Sequence, residues 1–166
     1  MRSHRSPQRF LVPVDHSEPS SEAVDVASQL AHGLNGTLTL LAVVPLAAPV
    51  TGADGLVAGP VPLAESGEQE ALDRLARERL DEAAARIGEE LDVRTAIAWG
   101  PAGPAIVEKA DENGHDYVVV GTRREGALGH LIHDRTVRHV LRHSPVPVLV
   151  VPATGAIDYD WETAAR

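Results

Sequence analysis

The sequence predicts an α/β protein in which a parallel sheet carries helices on both faces. Short apolar runs rich in Val and Leu alternate along the chain with segments whose apolar residues recur at helical spacing. Strands that alternate with helices are parallel and are joined by right-handed crossovers. Because most of the apolar runs are unbroken by charge, we expect the sheet to be covered on both sides.

Five strands and four helices are predicted, beginning and ending with a strand. The third strand is interrupted by Arg94 and Thr95, which favours a position at the edge of the sheet. Pro19 suits the first turn of a helix, and Asn35-Gly36 suits a helix end. The strands are predicted at residues 10–14, 38–44, 93–98, 117–120 and 146–151, and the helices at residues 19–34, 68–91, 105–113 and 135–143.

Two longer connections interrupt this alternation. Residues 45–66 are rich in Pro, Gly and Ala and show no period, which predicts a long loop. Loops of this length in compact domains are usually functional or disordered. Residues 122–134 form a second predicted loop, which contains Gly126 and Gly129.

Composition excludes several classes of function. The 166-residue chain contains no cysteine, so disulfides, thiol catalysis and thiolate metal sites are excluded. Aromatic residues make up only 3% of the chain, which predicts an aliphatic core. A net charge of −9 argues against nucleic-acid binding and against anionic membrane surfaces. The apolar runs are far shorter than the roughly 20 residues of a transmembrane helix, and no signal peptide is indicated. We therefore expect a cytoplasmic protein.

The predicted sheet indicates where a ligand would bind. In open α/β sheets, ligands bind beyond the carboxyl ends of the strands, where the strand order reverses. Four predicted strands end at this edge in Asp15, Val43-Val44, Trp99-Gly100 and Gly121-Thr122. Neither a Walker Gly-Lys-Ser/Thr motif nor a Gly-x-Ser-x-Gly elbow is present.

Three stretches together resemble the universal stress protein family. They are FLVPVD at residues 10–15, DYVVVGTR at 116–123 and VLRHSPVPVLVV at 140–151. The resemblance implies the strand order 3-2-1-4-5, counted along the chain, in a Rossmann-like, adenine nucleotide alpha hydrolase-like fold. It implies a universal stress protein domain at residues 9–152, leaving residues 1–8 as a flexible arm and 153–166 as a tail.

The same resemblance identifies a degenerate phosphate-binding motif. ATP-binding members carry Gly-x2-Gly-x9-Gly-Ser/Thr after the fourth strand, and its glycines let backbone N–H groups approach the phosphates. Here Gly121 occupies the first position, but Arg124, Asp134 and Arg135 occupy the other three. Gly126 and Gly129 are displaced from the strand end and do not restore the motif. The resemblance therefore implies weak ATP binding or none, and no obligatory cofactor.

The adenosine end of the site is better preserved. By resemblance, Pro13, Val14 and Asp15 lie near the base and ribose, and Val43 packs on adenine. A simpler interpretation of Asp15 is an N-terminal cap for the following helix. Thr136 could supply the lost hydroxyl if the loop shifts by one residue. The candidate site comprises Pro13, Val14, Asp15, Val43, Gly121, Thr122, Arg123 and Thr136.

Two clusters in the last third of the chain suggest further chemistry. His130, His133, His139 and His143 include an i, i+4 pair, which could hold a metal but is also typical of a solvated helix face. Arginines are concentrated between residues 122 and 143. They predict either an anion site made of guanidinium groups or a solvated face with local ion pairs; they are Arg123, Arg124, Arg135, Arg138 and Arg142.

Several functional hypotheses follow. The first is a non-enzymatic regulatory or stress-response module that forms a homodimer through its last strand, in which Val146, Val148 and Val150 alternate with other apolar residues. The second is an ATP-binding, slowly hydrolysing family member whose phosphate loop uses arginine. The third is a nucleotide-dependent enzyme on a related α/β fold, which the closing strand disfavours.

Overall fold

The computed structural model describes residues 7–45, 47–51, 57–62, 66–123 and 135–153. Seven strands and four helices lie in these ranges. In chain order they are β1 (Arg9–Pro13), α1 (Glu18–Leu34), β2 (Thr37–Val44), β3 (Ala47–Thr51), β4 (Val57–Pro62), α2 (Ser66–Ile87), β5 (Asp92–Trp99), α3 (Ala102–Glu112), β6 (Tyr117–Thr122), α4 (Arg135–His143) and β7 (Val148–Pro152).

Five parallel strands form the main sheet in the order β5-β2-β1-β6-β7. Counted along the chain without the β3–β4 pair, this is the order 3-2-1-4-5, so the predicted fold class and topology are confirmed. The strand interrupted by Arg94 lies at one edge, as predicted, and β7 lies at the other.

Alternating residues of the central strands build a core on each face of the sheet. Phe10 and Val12 of β1 pack with α1 and α2, whereas Leu11 packs with α3 and α4. This alternation is the pleat of a strand covered on both sides. Phe10, which stacks on Tyr117 at 5.2 Å between ring centroids, is the aromatic residue among the buried hydrophobic residues that the structure describes.

Two helices differ from the predicted boundaries by three residues or more at one end. Helix α2 stops at Ile87 rather than Leu91 because Gly88 adopts a left-handed φ of 84°. Helix α3 begins at Ala102, three residues earlier than predicted, since Pro104 falls in its first turn, where a missing N–H costs no hydrogen bond.

The prediction of a structureless loop at residues 45–66 is wrong for much of that segment. Strands β3 and β4 pair antiparallel in a separate two-stranded sheet, with a register shift between Ala48 and Val50. Both strands are edge strands, a position in which Pro49 and Pro60 are tolerated. The prolines and the irregular register conceal the alternation that would otherwise predict a hairpin.

The last strand is also shorter than predicted at its start. Strand β7 begins at Val148, because Ser144 and Val146 bond to each other in a turn: the Ser144 hydroxyl donates to the Val146 carbonyl over 2.8 Å. The predicted loop at 122–134 begins one residue later than expected, because Thr122 belongs to β6. Residues 124–134 of that loop, with His130 and His133, lie outside the described residues, as do residues 1–6 of the predicted arm and 154–166 of the predicted tail.

His115 occupies a buried position between α3 and β6. Only 5% of the residue is exposed, its backbone N–H donates to the Ala110 carbonyl, and ring Nδ1 lies 3.1 Å from the Lys109 carbonyl oxygen. Because the carbonyl can only accept, the proton sits on Nδ1. Burial lowers the pKa of His115 below 6.5, although the backbone hydrogen bonds oppose this shift. Nearby, the Arg9 charge also lowers this pKa, and Asp116 raises it.

Replacing His115 should flatten the dependence of stability on pH. Below about pH 6.5 the unfolded chain binds a proton that buried His115 resists, so wild-type stability is fully present above that pH and is lost as pH falls. We expect His115→Gln to show a smaller fall in thermal unfolding temperature between neutral and mildly acidic pH. The exposed His16→Gln serves as the control. Identical pH slopes for wild type and His115→Gln would contradict this assignment.

Candidate functional site

A cavity of about 390 Å³ opens at the carboxyl ends of β1, β2 and β6. It lies at the reversal of strand order, where β1 has β2 on one side and β6 on the other. Its volume is in the range of small-molecule sites. The described lining residues are Pro13, Val14, Asp15, Ser17, Pro19, Ser20, Leu41, Val43, Arg79, Ala102, Ile106, Val120, Gly121, Arg123, Thr136 and Val137.

Seven of the eight residues predicted for the site line this cavity. The exception is Thr122, which does not line it. Its side chain is buried in β6, and its hydroxyl is oriented toward the Arg123 carbonyl at 3.5 Å. The remaining seven are Pro13, Val14, Asp15, Val43, Gly121, Arg123 and Thr136.

The turn between β1 and α1 forms the polar side of the cavity. Ser17, rather than Asp15, is the N-cap of α1, since its side chain accepts from the Ser20 N–H, so the simpler interpretation of Asp15 is wrong. The Asp15 carboxylate instead accepts from the Ser17 N–H at 2.8 Å and from the Ser17 hydroxyl. The Ser20 hydroxyl accepts from the Asp15 N–H at 3.0 Å. These bonds hold an exposed carboxylate at the mouth of the cavity.

The opposite side of the cavity is apolar. Branched side chains from two strands and two helices face it, and several belong to the core on the α3–α4 face of the sheet. An apolar wall with a few convergent polar groups is typical of sites that bind small organic molecules. The wall consists of Leu41, Val43, Ile106, Val120 and Val137.

Gly121 has a structural role that is independent of any ligand. A Cβ at this position would lie 2.0 Å from the carbonyl oxygen of Pro19 in the first turn of α1. Backbone therefore packs directly on backbone, and no larger residue fits without displacing α1. Gly121 also lies in β6 and is not among the described glycines with positive φ.

Sequence reasoning missed Arg79 of α2, although a signal for it exists. Arg79 lies three residues after Ala76 and four before Ala83, both of which are buried, so it is a charged residue on the apolar face of its helix. It lines the main cavity and also an adjoining cavity of about 220 Å³. Ser17, the N-cap of α1, and Ser20 in its first turn also line the cavity, and both follow the predicted first strand closely.

The two described histidines of the cluster stack on each other. The rings of His139 and His143 lie 4.2 Å apart, and His143 Nδ1 is 2.9 Å from the His139 carbonyl oxygen. His139 also packs where Gly103 of α3 has no side chain, since a Cβ there would approach its Cβ to 2.7 Å. Within the described ranges, no three potential metal ligands are grouped together.

The parallel sheet with helices on both faces and the cavity at its switch point define the class of doubly wound α/β proteins with a ligand crevice. Within that class, the sequence profile of the universal stress protein family matches residues 7–152. The chain therefore belongs to the universal stress protein family.

Solved structures of the family superpose on most of the chain. A universal stress protein family member from Burkholderia pseudomallei has a TM-score of 0.66 at 25% identity, covering 88% of this chain and 96% of its own. A universal stress protein in complex with cAMP has a TM-score of 0.54 at 27% identity, covering 89% and 98%. An Arabidopsis thaliana family protein with AMP bound has a TM-score of 0.59, covering 90% and 94%, but at 16% identity it supports the fold alone.

No curated protein matches the sequence significantly. In the part of the chain that the structure describes, no helix is long and apolar enough to cross a membrane.

Gly121→Ala should destabilise the protein whether or not nucleotide is present. The new methyl group would meet the Pro19 backbone, so we expect the free energy of unfolding to fall by about 2 kcal/mol or more, as in overpacked cores. Urea denaturation measures this change. The matched control is Gly33→Ala in α1, where a Cβ meets nothing within 4 Å and helix propensity should raise stability slightly. Unchanged stability of Gly121→Ala would show that the close approach is not required.

Proposed function

We propose that the protein is a dimeric, non-enzymatic regulatory module of its family that binds ATP weakly or not at all. The observation that carries this proposal is the cavity, in which adenosine-side residues converge although the sequence keeps only one glycine of the phosphate motif. The Asp15 carboxylate accepts a hydrogen bond from the Ser17 hydroxyl and can accept others from ribose hydroxyls. The apolar wall can pack against a base. The relative solved with cAMP supports an adenine nucleotide as the class of ligand.

Loss of the glycines argues against tight binding of a triphosphate. A glycine-rich nest presents backbone N–H groups that need no ordering. Each arginine side chain must be ordered on binding, which costs about 0.5–1.5 kcal/mol of free energy. A carboxylate at position 134 would repel phosphate oxygens, and Arg135 provides no hydroxyl. Arg135 is exposed at the start of α4.

The chemistry of the cavity supports a binding role rather than a catalytic one. Its described lining contains no histidine, lysine or cysteine. The Ser17 hydroxyl lies beside Asp15 but also caps α1, so it is committed to structure. A nucleophile with a positioned base is therefore not assembled among the described lining residues.

One observation favours the second candidate, an ATP-binding member with an arginine-containing phosphate loop. Arg123 is exposed at the end of β6 and lines the cavity. Guanidinium groups pair well with phosphates. This candidate predicts micromolar ATP binding by the unmodified protein.

Calorimetry with adenosine, AMP and ATP tests the proposal. Wild-type protein should bind ATP no better than AMP, because the triphosphate half of the motif is lost. The triple variant Arg124→Gly, Asp134→Gly, Arg135→Ser rebuilds the motif and should gain ATP affinity by about tenfold or more, the equivalent of one charge-assisted hydrogen bond. Micromolar ATP binding by the wild type, or no gain in the triple variant, would favour the second candidate.

The dimer is proposed from the free edge of β7. In the described sheet β7 pairs with β6 alone, and Leu149 is 39% exposed on this strand. An apolar edge strand is prone to association unless it is paired or covered. Antiparallel pairing of residues 146–151 with a second copy would give the isologous geometry of a twofold dimer.

Leu149→Lys should dissociate this dimer without disturbing the core. The substitution places a charge on each side of the proposed interface, and the side chain is exposed in the isolated chain. Sedimentation velocity at micromolar concentration should show a wild-type dimer and a variant monomer. Leu34→Lys, on a leucine that is 51% exposed at the end of α1, should leave the dimer intact. A wild-type monomer at this concentration would refute the proposal.

A further inference from the structure

Arg79 places a positive charge on the buried face of helix α2, at the border of two cavities. Its neighbours one turn away on α2, Ala76 and Ala83, are 2% and 8% exposed. The side chain lines the main cavity together with Asp15 and Val14, and the same three residues line the adjoining cavity. A charge at this position faces the ligand-sized space instead of bulk solvent on the outer face of the helix.

The hydrogen-bonding capacity of Arg79 is incompletely used. Within the described part of the chain, its Nε atom is buried and has no hydrogen-bond partner. A buried donor without an acceptor is destabilising, so its retention needs a reason. Two other arginines of the same helix do have partners, since Arg77 pairs with Asp73 at 2.8 Å and Arg86 pairs with Asp25 at 2.9 Å.

The nearby carboxylate does not supply the missing acceptor. Asp15 borders the same two cavities, but its Oδ1 accepts from Ser17, and no ion pair joins it to Arg79 among the described contacts. The guanidinium and the carboxylate thus stand at the cavity as separate groups. A ligand with one anionic end and one hydroxyl-bearing part would satisfy both.

We propose that Arg79 binds the phosphate of a nucleoside monophosphate whose base and ribose occupy the main cavity. This inference rests on the adenine-nucleotide site proposed above and adds the residue that recognises its charge. A guanidinium donates two parallel hydrogen bonds to phosphate oxygens. Arg79 would therefore replace, from the α2 side, part of the anion binding that the glycine motif supplied from the β6 side.

The test compares AMP with adenosine, which differs only by the phosphate. Wild-type protein should bind AMP more tightly than adenosine, and the difference should shrink as salt is added. Arg79→Gln should weaken AMP binding by about tenfold or more, because a hydrogen bond to a charged group is lost. Its affinity for adenosine should stay within about twofold, since no charged contact is involved.

Two further variants keep the result interpretable. Arg77→Gln, on the exposed side of α2, should leave both affinities unchanged. Arg79→Met should retain or raise the thermal unfolding temperature, because it removes an unpaired buried donor. A cooperative unfolding transition in each variant shows that the variant is folded, so that a weaker affinity reflects the lost side chain and not a loss of structure.

The possible failures are distinguishable. If wild-type protein binds adenosine and AMP equally, or if Arg79→Gln weakens both ligands alike, the role of Arg79 is overturned while the adenosine site stands. If wild-type protein binds neither ligand, the proposed nucleotide site is overturned and the role of Arg79 falls with it.

Discussion

The backbone contact between the first turn of α1 and strand β6 is the constraint on which the site depends. The Pro19 carbonyl approaches Gly121 so closely that only a hydrogen fits between them. Helix α1 is itself tied to the end of β1, because the Asp15 N–H donates to the Ser20 hydroxyl. The ends of β1 and β6 and the start of α1 are therefore joined by direct contacts, and they line the cavity together with residues of α2, α3 and α4.

This contact changes what the retained glycine means. In a phosphate motif, glycine permits close approach of a ligand or a positive φ. Gly121 would be required here even without a ligand, because α1 lies against it. The presence of Gly121 in the sequence is therefore weak support for phosphate binding. Under the proposed function, anion binding at the described part of the cavity is assigned to the side chains of Arg79 and Arg123.

The parts of the fold that depend on hydrophobic patterning could be predicted from the sequence, and the parts that depend on tertiary contacts could not. Unbroken runs such as residues 38–44 predicted the parallel sheet, because strands covered on both faces carry no alternation. The β3–β4 pair was missed because prolines and a bulge conceal its period. Of the seven predicted residues that line the cavity, six lie at or next to a strand end and Thr136 lies on α4, whereas Arg79 reaches the cavity from a distant helix. The sequence signal for Arg79 was a charged residue within the apolar stripe of α2.

Charge at the cavity narrows the class of ligand further than shape does. The described lining carries one carboxylate, from Asp15, and two guanidinium groups, from Arg79 and Arg123, an excess of one positive charge. A phosphate monoester carries about −1.5 to −2 at neutral pH, and this excess offsets roughly half to two-thirds of that charge. A triphosphate adds further negative charge that would need the backbone N–H groups of a glycine nest, and Arg124 and Asp134 stand where those glycines would be. If the cavity binds nucleotides as proposed, we therefore expect separate guanidinium groups in place of a nest to shift preference from polyphosphates toward singly phosphorylated nucleotides.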